Sequence, residues 1–133
     1  MIIFKASTVD DVSQIQEWTD ADVYHRGQHN PGWWITGNGL LSFRVDDETG
    51  PLFYVRLDDG EFCRLSVQFA PSNVVSKRRL IPAMLETLPK LIETAKGSKG
   101  LIFDSVSPAL IKFMGKMRFT KFENDSYLLL FGE

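Results

Sequence analysis

Cysteine is almost missing from this sequence. Cys63 stands alone, so no disulfide can form within the chain. A single thiol suits a reducing, cytoplasmic compartment. No apolar run approaches the roughly 20 residues that span a bilayer, so a membrane is not an expected partner. Met1–Ala6 is too short, and too soon followed by acids, to read as a signal peptide. Excess charge of either sign is lacking as well. The net charge of −2 gives no global electrostatic case for nucleic acid or an anionic surface. Internal repeats, low-complexity tracts and linkers are also absent. What remains is globular composition, 44% hydrophobic over 133 residues, a length that suits one domain spanning 1–133.

The chain divides cleanly into short elements. Ile2–Ala6 reads as a strand. Ser7 or Thr8 can cap a following helix, with Asp10 and Asp11 in its first turn, where negative charge suits the helix dipole. Val9, Val12, Ile15 and Trp18 recur at helical spacing, which predicts a helix from about Thr8 to Thr19. A shorter helix is expected over Asp20–Arg26, then a loop over Gln28–Gly39 that carries Trp33 and Trp34 among glycines. Three strands follow at Leu40–Asp46, Leu52–Asp58 and Glu61–Phe69, the last pair joined at Asp59–Gly60. A long helix rises after Ala70–Arg79 and runs to about Lys96, with Pro89 expected to kink or break it. Leu101–Asp104 is a compact strand. Ser107 then caps a helix that has Pro108 in its first turn. Strands at Arg118–Glu123 and Tyr127–Phe131 close the chain. Strand, long helix, strand implies a right-handed crossover between parallel neighbours. The expected architecture is α/β of the α+β type. It has a mixed central sheet of about seven strands with helices on both faces.

That order resembles the layout of the GNAT superfamily of N-acetyltransferases. Two stretches carry the likeness to individual residues. The first is Ser105–Phe122, similar to the family's motif in which a polar residue opens a helix and a Gly-Phe end leads into the next strand. Ser107 falls where the family often has Asn, and Phe119 matches the Phe of Gly-Phe. The second is Val67–Leu85. There the family has an Arg or Gln and two spaced glycines, whose N–H groups grip the pyrophosphate of acetyl-CoA at a helix start. Ser76 falls at the Arg/Gln position, and Arg79 and Ile81 stand at the glycines. The family's proton-donating Tyr corresponds to Met114, and its motif Gly to Arg118. A fainter resemblance, over Ser107–Phe131, is to small GNAT-like proteins encoded by bacteriophages.

The resemblance implies an acyltransferase using acetyl-CoA as co-substrate and the amine of a small molecule or protein as acceptor. It puts the bound thioester beside Ser66, Val67 and Gln68, with Ser107 on the cofactor side. Ser76, Lys77, Arg78 and Arg79 form the only concentrated basic run. Cations at a helix start oppose its dipole, so this run is either an anion site for the cofactor phosphates or a solvated helix start. A general base would come from the start of the neighbouring strand, where Glu61 is a candidate, and Tyr127 could replace the missing acid. Each has a plainer reading, as a solvated turn carboxylate and as a sheet residue. Tyr24 and His25 would line the acceptor groove, while Trp33 and Trp34 line a cleft or cap the core. His25 and His29 lie at i, i+4, but Gly27 interrupts them and no third ligand is evident, so no metal is expected. Without interleaved aromatics the basic run does not read as a nucleic-acid site. The rival to the enzyme is a GNAT-fold interaction or structural protein that has lost CoA chemistry. It would have a cleft closed by Arg79 or Ile81, and a protein partner or homo-oligomer is left open.

Overall fold

A computed structural model describes residues 2–22, 31–36 and 39–131. The first strand, β1 (Ile3–Ala6), leads into a capping box. The Thr8 hydroxyl accepts from Asp10 N–H at 3.3 Å, and Thr8 N–H donates to Asp11 Oδ2 at 2.9 Å. One 3₁₀ turn, Val9–Asp11, precedes helix α1 (Val12–Ala21). That tighter turn alters the azimuth of its residues, so Val9 is exposed rather than on the buried stripe with Ile15 and Trp18. α1 itself takes up Asp20 and Ala21, the start of the expected second helix. Asp22 ends the helix in an extended conformation, and Tyr24, His25 and His29 lie outside the described residues.

A 3₁₀ turn over Pro31–Ile35 carries the two tryptophans into β2 (Gly39–Asp47), β3 (Gly50–Asp58) and β4 (Cys63–Phe69), an antiparallel meander. β4 starts two residues later than the sequence suggests, because Lys99 N–H takes the Glu61 carbonyl at 2.9 Å and the connection spans more than Asp59–Gly60. Helix α2 (Lys77–Ala95) crosses to β5 (Gly100–Asp104), which lies parallel to β4. α2 is continuous through Pro82 and Pro89. Both prolines are exposed, so each carbonyl they leave without a helical partner lies on the wetter side, while Met84 and Leu91 anchor the other. Ser107 caps helix α3 (Pro108–Gly115), its hydroxyl accepting from Leu110 N–H at 3.4 Å. β6 (Thr120–Glu123) and β7 (Ser126–Leu130) finish a seven-stranded mixed sheet in the order β1-β2-β3-β4-β5-β7-β6.

Alternation along the meander assigns the two faces. On one, Tyr54 takes α1, with the Trp18 and Tyr54 rings 5.2 Å apart. The Tyr54 hydroxyl reaches Asp11 Oδ1 at 2.9 Å, and Arg44 joins the same carboxylate at 3.0 Å. Burial alone would raise the Asp11 carboxyl, but Thr8 N–H, Tyr54 and Arg44 together hold it below its usual range. On the other face Phe53, Val55 and Leu57 lie under α2. Helices therefore cover both faces, as the element order implies. Gly100 allows β7 to close on β5, since a Cβ there would lie 2.3 Å from the Leu129 carbonyl oxygen. Among the described residues no helix is long and apolar enough to cross a membrane.

Candidate functional site

The site begins with a failure of pairing. β4 and β5 are matched only at Cys63↔Leu101 and Arg64↔Ile102. Beyond these rungs β4 continues to Phe69 and β5 to Asp104 without a shared ladder. Parallel strands that part at their carboxyl ends leave a crevice, the usual place for a ligand in such sheets. Here it is a cavity of about 310 Å³, within the range that holds small molecules. Val67 and Phe69 of β4, Leu80 and Ile81 of α2, and Leu110 and Phe113 of α3 give it apolar walls.

Charge on those walls is unequal. Lys77 comes from the first turn of α2, and Lys112 and Lys116 come from α3 and its end. Asp22 is the one acid among the described lining residues. Ser76 caps α2 with extended dihedrals (φ −80°, ψ 158°), and its hydroxyl makes no capping bond. Its carbonyl accepts from Arg79 N–H at 3.0 Å and Leu80 N–H at 3.2 Å. The first N–H groups of any α-helix, here those of Lys77 and Arg78, have no acceptor inside the helix. They carry the positive end of its dipole.

The basic run divides once folded. Lys77 lies on the cavity wall, while Ser76 and Arg78 are exposed and off it. Arg79 turns away altogether and grips Asp47 through two bonds of 2.8 Å. Arg79 hydrogen bonding pulls the Asp47 carboxyl down to about 2. Arg79 thus clamps α2 to the β2–β3 turn and lies off the cavity wall. Ile81 lines the wall without closing the cavity.

On β4 only Val67 of the three expected residues reaches the wall. Ser66 and Gln68 alternate away from Val67. Gln68 is buried, with its Nε2 donating to Asp22 Oδ2 at 3.3 Å and to the Phe69 carbonyl at 3.1 Å. Ser107 lies on the wall.

The expected catalytic pair is not brought to the cavity. Glu61 sits before the amino end of β4 and pairs with Lys99 at 2.9 Å, both side chains exposed. Tyr127 stacks on Phe103 at 5.3 Å and serves the sheet. Trp33 and Trp34 are packed against each other at 5.2 Å, off the cavity wall. The Arg56 guanidinium lies 4.3 Å from the Trp33 ring centroid, donates to the Trp33 carbonyl and pairs with Asp58 at 3.0 Å. These rings are pinned as part of the fold. Tyr24 and His25 fall outside the described residues. Met114, at the tyrosine position, is 1% exposed and has no acidic proton. Arg118, at the glycine position, adopts φ 73°.

Sequence reasoning passed over Lys112, Lys116, Phe113 and the cavity role of Asp22. The i, i+4 spacing of Lys112 and Lys116 on a helix was a usable signal, since it puts both on one side.

No protein-family model and no curated protein matches the sequence. Solved structures do match the fold. The ribosomal-protein-S18-alanine N-acetyltransferase of Escherichia coli superposes with a TM-score of 0.70 at 12% identity, over 96% of this chain and 91% of that one. A GNAT family acetyltransferase from Brucella melitensis in complex with acetyl-CoA gives 0.67 at 15% identity, over 100% of this chain and 90% of that one. An aminoglycoside acetyltransferase in complex with coenzyme A gives 0.70 at 11% identity, over 98% and 95%. The fainter likeness to phage-encoded proteins gains no support from these three. With seven strands in one mixed sheet, helices on both faces and a crevice where β4 leaves β5, the chain has the fold of the GNAT acetyltransferases.

Proposed function

We propose that this protein binds an acyl-CoA, acetyl-CoA in the simplest case, in the crevice between β4 and β5 and transfers the acyl group to an amine. The observation that carries the reading is the cavity itself. Its apolar walls suit a pantetheine arm, and Lys77, Lys112 and Lys116 with the start of α2 supply positive charge for phosphates. Lysine side chains and the helix end would take over the part played in the family by N–H groups freed by glycine. Two structures of the same fold, in complex with acetyl-CoA and with coenzyme A, favour the same ligand.

In the reaction the amine nitrogen attacks the thioester carbonyl. A C–N bond forms, the C–S bond breaks, and the proton lost by nitrogen balances the departing thiolate. Holding both reactants in line, with the carbonyl polarised, accounts for most of such a rate gain. Met114 cannot donate a proton, so protonation of the thiolate falls to another group or to water. That same residue is the observation behind a second reading, a protein that binds acyl-CoA without turning it over. The rival with a closed cleft is disfavoured, because Arg79 is spent on Asp47. Titration calorimetry with acetyl-CoA, paired with thermal denaturation, tests the proposal. Heat of binding and a raised Tm are expected. Neither effect at millimolar ligand would overturn it.

A further inference from the structure

The sheet ends in β6 on one side and β1 on the other, and the two edges differ. The β6 edge is blunted. Its register with β7 slips between Lys121 and Glu123, both of these residues are charged, and Asn124 follows at φ 45°. Bulges and charged side chains are devices that keep a sheet edge from pairing with another chain. β1 lacks the bulge. It pairs with β2 in unbroken register from Ile3↔Asp46 to Ala6↔Phe43. Its one charge, Lys5, is held by Asp46 at 3.4 Å. Ile3 and Phe4 are both exposed.

Alternation divides the side chains of β1 between the two faces. Phe4 is on the α2 face beside Val45, its ring 5.5 Å from that of Phe43 and its centroid 5.3 Å from Lys90 Nζ. Ile3 and Lys5 are on the α1 face, beside Asp46 and Arg44. A two-fold axis perpendicular to the sheet would set β1 antiparallel to a second β1. Facing residues then share a face, so the axis passes through a residue position, which within the strand is Ile3, Phe4 or Lys5. An axis at Lys5 lines up Arg44, Lys5 and their two copies, a row of cations. An axis at Ile3 puts Asp46 at both ends of a row that holds no cation. An axis at Phe4 gives the row Asp46, Ile3, Lys5, Arg44, in which Lys5 of the second copy faces Ile3 and extends toward Asp46. On the α2 face the same axis gives Val45, Phe4, Phe4, Val45, apolar throughout. Facing aromatics and opposite charges stabilise a strand pair, and like charges oppose it.

We propose that two copies of this chain join β1 to β1 across a two-fold axis at Phe4, as antiparallel neighbours in one continuous sheet. The register is fixed by charge, since it alone of the three brings a cation into the row of Asp46. One short strand from each copy buries little surface, so the dimer is weak and depends on concentration. β2 and β3 separate β1 from β4. The contact therefore leaves the crevice open and does not depend on what the crevice binds.

Sedimentation velocity over a concentration series tests the association, and cysteine cross-linking tests the register. Wild type is expected to sediment as a dimer at about 200 μM and as a monomer at about 2 μM, as a weak interface requires. Ile3→Lys places a second cation opposite Lys5 and should stay monomeric at both concentrations. Val9→Lys, at an exposed position off the strand, should behave as wild type. Circular dichroism and Tm confirm that each variant is folded. On oxidation Phe4→Cys should give a disulfide-linked dimer, because facing Cα atoms of antiparallel strands lie about 4.5–5.5 Å apart, within disulfide range. Lys5→Cys should not, because this register sets its two thiols a two-residue step apart. Cys63 is buried and does not compete. A wild type still monomeric at about 1 mM, a dimer that survives Ile3→Lys, or cross-linking of Lys5→Cys as complete as that of Phe4→Cys would each overturn the proposal.

Discussion

Arg118→Gly should make this protein more stable, although it deletes a long side chain. Helix α3 ends with Phe119 N–H reaching back to the Met114 carbonyl at 3.3 Å, the six-residue closure of a Schellman ending. Such an ending needs a left-handed residue just before the returning N–H. Arg118 supplies it at φ 73°. An L-residue there costs about 1–2 kcal/mol. Glycine relieves that cost but adds about 0.5–1 kcal/mol of chain entropy to the unfolded state. The net expectation is a gain of about 0.5–1 kcal/mol. With an m-value of about 2 kcal/mol/M, the urea midpoint should rise by about 0.3–0.5 M. Tryptophan fluorescence can follow the unfolding. Lys116→Gly is the opposite-sign control, because Lys116 is right-handed at φ −67°. It should lose about 0.5–1 kcal/mol. A fall in midpoint for Arg118→Gly, or the same sign for both variants, would refute the reasoning.

Gly100→Ala should destabilise by about 1–3 kcal/mol, because the new methyl would lie 2.3 Å from the Leu129 carbonyl oxygen and force β5 from β7; an unchanged urea midpoint would show that the strands are not packed so closely. Stability should also fall in acid through Asp47. Its carboxyl is held at about 2 when folded against 3.8 as its ordinary value, first by Arg79 hydrogen bonds. A lowered carboxyl contributes stability above the unfolded value and loses it as pH drops through the folded one. The wild type should therefore weaken between about pH 4 and pH 2, and Asp47→Asn should weaken less steeply, a comparison in which Asp11 cancels. Coincident slopes for the two proteins would contradict the clamp.

Much of the fold is legible because its signals are local. Thr8 with Asp11, and Ser107 with Pro108, mark helix starts through hydrogen bonds only a few residues long. The order of strands and the length of α2 then leave little choice of topology. The site is legible only where local order fixes direction. Val67, Lys77 and Ser107 line one cavity. Arg79 does not, because neighbouring residues on a helix point about 100° apart and Asp47, 32 residues earlier, captures it. Glu61 lies on the expected side of β4 in sequence but at its amino end, whereas the crevice opens at the carboxyl end. Trp33 is claimed by Arg56, a partner 23 residues on that spacing cannot reveal. Pro89 is tolerated because its face is exposed, which no rule of sequence alone decides.

The central claim is that the crevice between β4 and β5 binds acyl-CoA with lysines in place of glycines. Calorimetric titration of acetyl-CoA into wild type and a Lys112→Ala/Lys116→Ala double variant, each at low and high salt, tests it most directly. The account predicts binding to wild type that weakens with salt, and about tenfold weaker binding to the double variant with a shallower salt dependence. Absence of binding to wild type at millimolar acetyl-CoA, or equal affinities and salt slopes for both proteins, would contradict it.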